Sequence, residues 1–339
     1  MQILVLHPGA LGDLILSLPA LELLKRQSPG ARITLAANLD YLCIVPNSLV
    51  ERRLSLSALP LSGLFGVSPP PVERGFWISF DRVLSWTGFG DEQFAANLKA
   101  LHGEALVAHW RPARDERRHV SRLFADSLAP WIPVQEDPPT VKLTAGDSQL
   151  SSAGDWFSQR GVAPETVVIA LQPGAGSPSK RWPLDHFIQL SRMLLEDYCD
   201  RVLIIEGPAE TGLGGRMMEA LPVSNLLIAN CLRLDDLAAL LSKCRAYVGN
   251  DSGISHLAAG LGIPCIVLFG PTSPRQWSPL GRRVAVLRNI AGCKACEAGG
   301  VESHRCLRNI PPADVCRLLA GRLIHEQAAI DFDAFPDNV

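Results

Sequence analysis

Short apolar runs separated by turn-forming loops and amphipathic stretches set the pattern of the chain. Ile3-Leu4-Val5-Leu6 is a strand that stops at His7-Pro8-Gly9. Leu14, Ile15, Leu18, Leu21 and Leu24 then recur at helical spacing, with Pro19 predicting a kink inside the helix. Ala31 to Ala36 is the next strand, so the chain begins as a strand–helix–strand unit with a parallel neighbour. Val83 to Trp86 and Ala105 to Ala108 are further strand candidates. Leu56 to Pro71, rich in Leu, Ser, Gly and Pro, reads as an irregular, mobile loop.

The pattern restarts in the second half. Strands are predicted at Val167–Leu171, Arg201–Ile205, Ala246–Gly249 and Pro264–Phe269, with helices over Leu184–Glu196 and Leu234–Leu241 and from His256 to Gly260. This is α/β patterning twice over, predicting two doubly wound domains. The Pro-rich and then polar stretch from Asp137 to Asp147 places the boundary, giving domains 1–145 and 146–339. The residues from about Leu323 read as a polar, irregular tail able to pack back on the first domain.

Composition narrows the function. Hydrophobic residues make up 47% of the 339 and charged residues 19%, a globular balance long enough for two cores. The net charge of −2 provides no basic field for nucleic acid, which is excluded as a partner. No apolar stretch reaches 18 residues, and the first residues have no basic n-region, so a cytoplasmic protein is expected. Nine cysteines, an odd number, fit reduced thiols.

Three loops carry candidate chemistry, each directly after a strand, where α/β folds bind ligands. The first is Gly9-Ala10-Leu11-Gly12-Asp13. Its glycines allow a tight turn, and Asp13 falls in the first turn of the helix, as a cap or as a functional carboxylate. The G-x-x-G-D spacing is not the dinucleotide fingerprint. The second runs from Gln172 to Pro183; its small residues permit close backbone approach, and Lys180 and Arg181 suit a phosphate. The third is Gly249-Asn250-Asp251-Ser252-Gly253-Ile254-Ser255-His256, where Asp251 and Ser252 can cap a helix whose N-terminus can hold an anion, with His256 one turn on.

Taken together, Gly-Ala-Leu-Gly-Asp, Lys180-Arg181-Trp182-Pro183, Asp251-Ser252-Gly253 with His256 and Ala258, and Phe269-Gly270-Pro271-Thr272-Ser273-Pro274 resemble glycosyltransferase family 9, the heptosyltransferases, from Ile3 to about Leu318. The resemblance implies a GT-B fold, two Rossmann-like domains facing a cleft, with the acceptor on the N-terminal domain and an ADP-sugar on the C-terminal one. It implies Asp13 as general base and Lys180 at the donor phosphates. Gly176, Ser177, Asp251, Ser252, Gly253 and His256 would line the donor, with Glu210 and Leu232 at its nucleoside. Gly9 and Gly12 would lie on the acceptor side. Where many relatives carry Arg, this chain has His7, and Gln172-Pro173-Gly174-Ala175 replaces a His-x-x-Thr-like start of the second loop.

Two further clusters remain. Cys293, Cys296, His304 and Cys306 combine a Cys-x-x-Cys with a tight His-x-Cys; the preferred reading is a reduced surface loop, the alternative a zinc site. Arg111, Arg114, Arg117, Arg118 and Arg122 form a basic run diluted by Asp115 and Glu116, with Arg117 and Arg118 as candidate contacts to an anionic glycolipid acceptor at the inner membrane surface. The expected reaction is inverting transfer of a heptose or related sugar from an ADP-sugar to a lipopolysaccharide core-type acceptor. No cofactor is required, because no Asp-x-Asp metal motif sits at a plausible donor site. A GT-B enzyme using another nucleotide-sugar, and a non-catalytic nucleotide-sugar-binding protein, remain open at this point.

Overall fold

A computed structural model describes residues 1–67, 74–113, 116–135, 137–207, 212–289, 291, 293 and 305–324. The chain divides into two compact units, Met1–Val141 and Lys142–Val339.

The first unit holds a parallel five-stranded sheet of β1 (Gln2–Leu6), β2 (Arg32–Ala37), β3 (Arg52–Ser55), β4 (Arg82–Ser85) and β5 (Ala105–Val107). Its order is β3-β2-β1-β4-β5. Ile3 to Leu6 have no exposed surface, as a central strand covered on both faces demands. The winding reverses between β1 and β4, the crevice where doubly wound sheets bind ligands, and the Gly9 loop leaves β1 at that point. Helix α1 (Leu11–Gln27) follows directly, runs on through the buried Pro19, and packs against α5, where α5 is Val120–Asp126 and α2, α3 and α4 are Leu39–Leu42, Arg74–Trp77 and Glu92–Leu101. Trp77, Phe94 and Leu98 close the core beneath Leu4 and Leu6.

Two expectations change here. The loop expected from Leu56 to Pro71 contains two 3-10 turns, Leu56–Ala58 and Ser62–Phe65. The buried amide of Asn97 fixes the second by donating to the Leu64 and Gly66 carbonyls at 3.0 and 2.8 Å; residues 68–71 lie outside the described ones. Strand β3 escaped notice because it is an edge strand, short and headed by Arg52-Arg53, without the apolar run of a central one.

The second unit holds six parallel strands: β6 (Val168–Gln172), β7 (Arg201–Glu206), β8 (Leu226–Asn230), β9 (Ala246–Asn250), β10 (Cys265–Phe269) and β11 (Val284–Arg288), in the order β11-β10-β9-β6-β7-β8. The edge strands β8 and β11 again went unread. The helices are α6 (Asp147–Ser158), α7 (Leu184–Asp197), α8 (Leu213–Ala220), α9 (Leu234–Ser242), α10 (Gly253–Gly260), α11 (Pro274–Trp277) and α12 (Pro312–Ile324). Trp182, Phe187, Leu190 and Leu194 pack on Ile169, Leu171, Val202 and Ile204. The reversal of winding lies between β6 and β9, so the loops after these two strands emerge side by side. Among the described residues no helix is long and apolar enough to cross a membrane.

Gly249 in β9 faces the Tyr247 ring so closely that an added Cβ would lie 2.1 Å from the hydroxyl oxygen. Gly249→Ala is expected to destabilise the second unit by about 1–3 kcal/mol, the usual cost of overpacking. Chemical denaturation measures it, and an unchanged midpoint would show that Tyr247 yields freely.

Candidate active site

In the first unit, β1 delivers His7 into an aromatic enclosure. The ring lies 5.7 Å from Trp86, 6.1 Å from Trp110 and 5.7 Å from Phe124 between centroids, with no exposed surface. Its Nδ1 accepts the Gly9 N–H at 3.2 Å, which requires that nitrogen to be unprotonated. Burial lowers its pKa to about 4, partly offset by the backbone at Asp13 and at His7 itself. Gly9 is wedged between this ring and Asp13: a Cβ there would meet Asp13 Cβ at 2.6 Å, its Oδ2 at 2.8 Å and His7 Cε1 at 2.8 Å. Gly12 and Asp13 are the second and third residues of α1, and Asp13 Oδ2 accepts the Ala10 N–H at 3.0 Å. The half-buried carboxylate is thus held over the opening turn of α1 by the loop's own backbone.

In the second unit, the last residue of β9 organises everything around it. Asn250 is fully buried. Its Oδ1 accepts the Trp182 N–H at 2.9 Å, and its Nδ2 donates to the carbonyls of Pro173 and Gly174 at 3.0 and 3.1 Å. One amide therefore binds both ends of the loop that follows β6. Arg181 closes the loop on itself, donating from Nε and Nη2 to the Ala175 carbonyl. Lys180 ends the 3-10 turn Pro178–Lys180 and donates from Nζ to Asp251 Oδ2 at 2.7 Å; the lysine side chain keeps 30% of its exposure and the aspartate 6%. Thr272 Oγ1 donates to the same oxygen. Ser177 shares a hydrogen bond with Ser179 at 2.9 Å. A Cβ at Gly176 would meet open space, so nothing inside the protein demands glycine there.

Beneath this pair runs a second polar chain. Gln172 Oε1 accepts from Ser252 Oγ at 2.8 Å and Tyr247 OH at 3.2 Å, and Tyr247 OH shares a further bond with Ser255 Oγ at 2.9 Å. Ser252 is the N-cap residue of α10, yet its hydroxyl turns to Gln172 and caps nothing. The expected side-chain cap is absent because a buried carbonyl oxygen competes for the same donor. The N-terminus of α10, which starts at Gly253 next to Asp251, therefore receives no cap from its own N-cap side chain. His256 is buried one turn along α10.

Leu232 is half-buried in the turn after β8. The preceding Cys231 has φ 49° and donates its N–H to the Glu206 carbonyl at 3.0 Å, binding this turn to the end of β7. Glu210, Cys296, His304 and Arg114 lie outside the described residues. Cys293 and Cys306 are both buried, and the described residues contain no cluster of three metal-binding side chains. In the basic run, Arg118 binds Glu116 (2.6 Å) and Asp126 (2.8 Å), and Arg122 binds Asp126 (2.7 Å). Arg118 holds the half-buried Glu116 carboxyl down at about 2. Arg117 contributes a backbone N–H to the same carboxylate.

Asn250, Gln172 and Thr272 were not singled out from the sequence. A signal existed for the first two: each is the polar last residue of an otherwise apolar strand, which a buried position tolerates only with partners. Thr272 carried none beyond its motif.

Two successive doubly wound parallel units, each with a glycine-containing loop leaving its sheet at the switch point, are the GT-B architecture. The solved structure of the Escherichia coli ADP-heptose lipopolysaccharide heptosyltransferase II has the same fold, with a TM-score of 0.75 at 23% identity over 97% of this chain and 100% of that one. The profile of glycosyltransferase family 9 (heptosyltransferase) matches residues 106–303, more than half of the chain. The chain belongs to this family. Relatives include lipooligosaccharide heptosyltransferase 2 of Haemophilus influenzae, 27% identical over 92% of this chain and 96% of that protein. Lipopolysaccharide heptosyltransferase 2 of Salmonella typhimurium is 27% identical over 96% and 99%.

Two measurements probe these arrangements. Above pH 6.5 His7 is neutral in native and unfolded chains alike. Between pH 6.5 and 4 the unfolded chain takes a proton that the native one refuses, so stability falls as pH falls, by up to about 3 kcal/mol. His7→Gln should flatten that slope in urea titrations; an unchanged slope would assign it elsewhere. Asn250→Ala strands two carbonyls and one N–H, and should cost on the order of 3 kcal/mol. A loss under 1 kcal/mol by the same titration would show that water replaces the amide.

Proposed function

We propose that this glycosyltransferase moves a heptose from ADP-heptose to a lipopolysaccharide core-type acceptor with inversion at the anomeric carbon. The observation that carries the reading is the Lys180–Asp251 pair, held by Asn250 beside the uncapped N-terminus of α10 at the switch point of the second unit. Such a site suits a diphosphate: a lysine with part of its surface open, and helix N–H groups that the N-cap side chain leaves uncapped. The names of the full-length relatives supply the sugar and the acceptor class.

In this reading Asp13 takes the proton of the acceptor hydroxyl. The hydroxyl oxygen forms its bond to the anomeric carbon as the bond from that carbon to the diphosphate breaks. Lys180 and the start of α10 stabilise the charge gathering on the departing ADP. Gly176, Ser177, Asp251, Ser252, Gly253 and His256 line the donor, and Leu232 and Glu210 its nucleoside. Gly9, Gly12 and the Arg117–Arg118 surface serve the acceptor, an anionic glycolipid reached by a cytoplasmic enzyme at the inner membrane face. No cofactor enters the reaction.

The test is ADP release and acceptor mass gain with ADP-heptose and a core oligosaccharide. Asp13→Ala should slow turnover by about 10²–10⁴-fold, the range of a general base, with ADP affinity unchanged. Lys180→Ala should weaken ADP binding and slow turnover together, since it serves ground state and transition state. Near-full turnover of Asp13→Ala removes the base; transfer only from a different nucleotide-sugar overturns the donor.

A further inference from the structure

A pocket of about 280 Å³ opens in the first unit beyond the carboxyl end of β5, lined among others by His109, Arg111, Glu116, Arg118 and Asp126. Its charges are unequally satisfied. Both oxygens of Glu116 accept from Arg118, at 3.0 Å from Nε and 2.6 Å from Nη2. The Asp126 oxygens are taken by Arg118 Nη1 at 2.8 Å and Arg122 Nε at 2.7 Å. Glu116 and Asp126 are thus held by Arg118 and Arg122, and Arg122 also reaches the exposed Asp137 at 3.4 Å. Arg111 is left over: among the described residues no carboxylate pairs with it, and its guanidinium sits over the Trp110 ring, 5.0 Å from the centroid.

The surroundings are built to hold that cation in place. Trp110 is buried; its indole N–H donates to the Trp86 carbonyl at 3.0 Å, and its ring stacks on Phe124 at 5.0 Å and on His7 at 6.1 Å. A planar guanidinium on a fixed aromatic face loses little freedom when it binds an oxyanion in a fork. His109, on the pocket wall, lies 4.0 Å from Phe89, an aromatic ring with 54% of its surface exposed. Paired rings of this kind can take the apolar face of a sugar. The packing also leads from the pocket to the Asp13 loop: Arg111 rests on Trp110, Trp110 on His7, and His7 on Gly9.

We propose that this pocket is the anion subsite for the acceptor, in which Arg111 binds a phosphate or carboxylate carried by a sugar that packs on His109 and Phe89. The inference rests on the acceptor role given to the first unit and refines it: Arg118 shapes the pocket through its two carboxylates, and Arg111 supplies the uncompensated charge.

The Trp110 indole N–H is a reporter beside the site, read by NMR in the full chain titrated with glucose 6-phosphate, galacturonate or glucose. Both anionic sugars should shift it saturably and glucose should not; a preference for one anion tells phosphate from carboxylate. Arg111→Gln should raise both dissociation constants at least tenfold, with Arg111→Lys recovering part of the loss. Phe89→Ala should weaken the sugar anions and leave inorganic phosphate unchanged. Equal binding of glucose, or full binding by Arg111→Gln, overturns the subsite. In the transfer assay Arg111→Gln should raise the acceptor KM about tenfold at constant donor KM. Anion binding without any heptosyl transfer would leave the subsite and remove the proposed reaction. Transfer with an unchanged acceptor KM and no probe binding would do the reverse.

Discussion

The buried amide of Asn250 is the constraint on which the second unit's loops depend. A primary amide offers two donors and an acceptor, and here each is spent on a different backbone group of one neighbouring loop. In a dry interior such a group is costly unless fully bonded and rigid once it is. The loop after β6 therefore has no alternative path that leaves the amide satisfied, and Lys180 is delivered to Asp251 as a consequence. The neighbouring Gln172–Ser252–Tyr247–Ser255 chain does the same for the start of α10, drawing the N-cap hydroxyl inward and leaving the helix end uncapped.

A carboxylate as buried as Asp251 needs a partner, and Lys180 and Thr272 provide it on the same oxygen. In the proposed donor site, Lys180 would serve a diphosphate as well as Asp251. Thr272 then keeps a hydrogen bond to Asp251 that does not depend on the lysine. In the first unit the anchor is an imidazole. His7 stays neutral because burial among aromatic rings disfavours its cation, and a neutral Nδ1 is what accepts the Gly9 N–H. The start of the loop carrying Asp13 is thus anchored by a neutral imidazole in an aromatic core.

Much of the architecture was readable in the chain. Central strands in parallel sheets are covered on both faces, so they appear as unbroken apolar runs such as Ile3–Leu6 and Val168–Leu171. Edge strands obey no such rule, and β3, β8 and β11 passed unnoticed. Helix α4 was missed for a different reason: Phe94, Leu98 and Leu101 do fall at helical spacing, but few strong apolar residues accompany them.

The sequence by itself determined the two α/β halves, three motif-bearing loops at strand ends and, through their joint motifs, the glycosyltransferase family. These are local properties: hydrophobic period, glycine and charge placement within a dozen residues. Only the tertiary structure decided which polar side chains cooperate. Asn250 reaches Trp182 across 68 residues, Lys180 reaches Asp251 across 71, and Gln172 reaches Ser252 across 80. It also sorted the basic run, binding Arg118 to Glu116 and Asp126 and leaving Arg111 on Trp110. A chain reads as a list of charges until folding fixes the distances between them, and at a few ångströms those distances decide which charges cancel and which remain to meet a ligand.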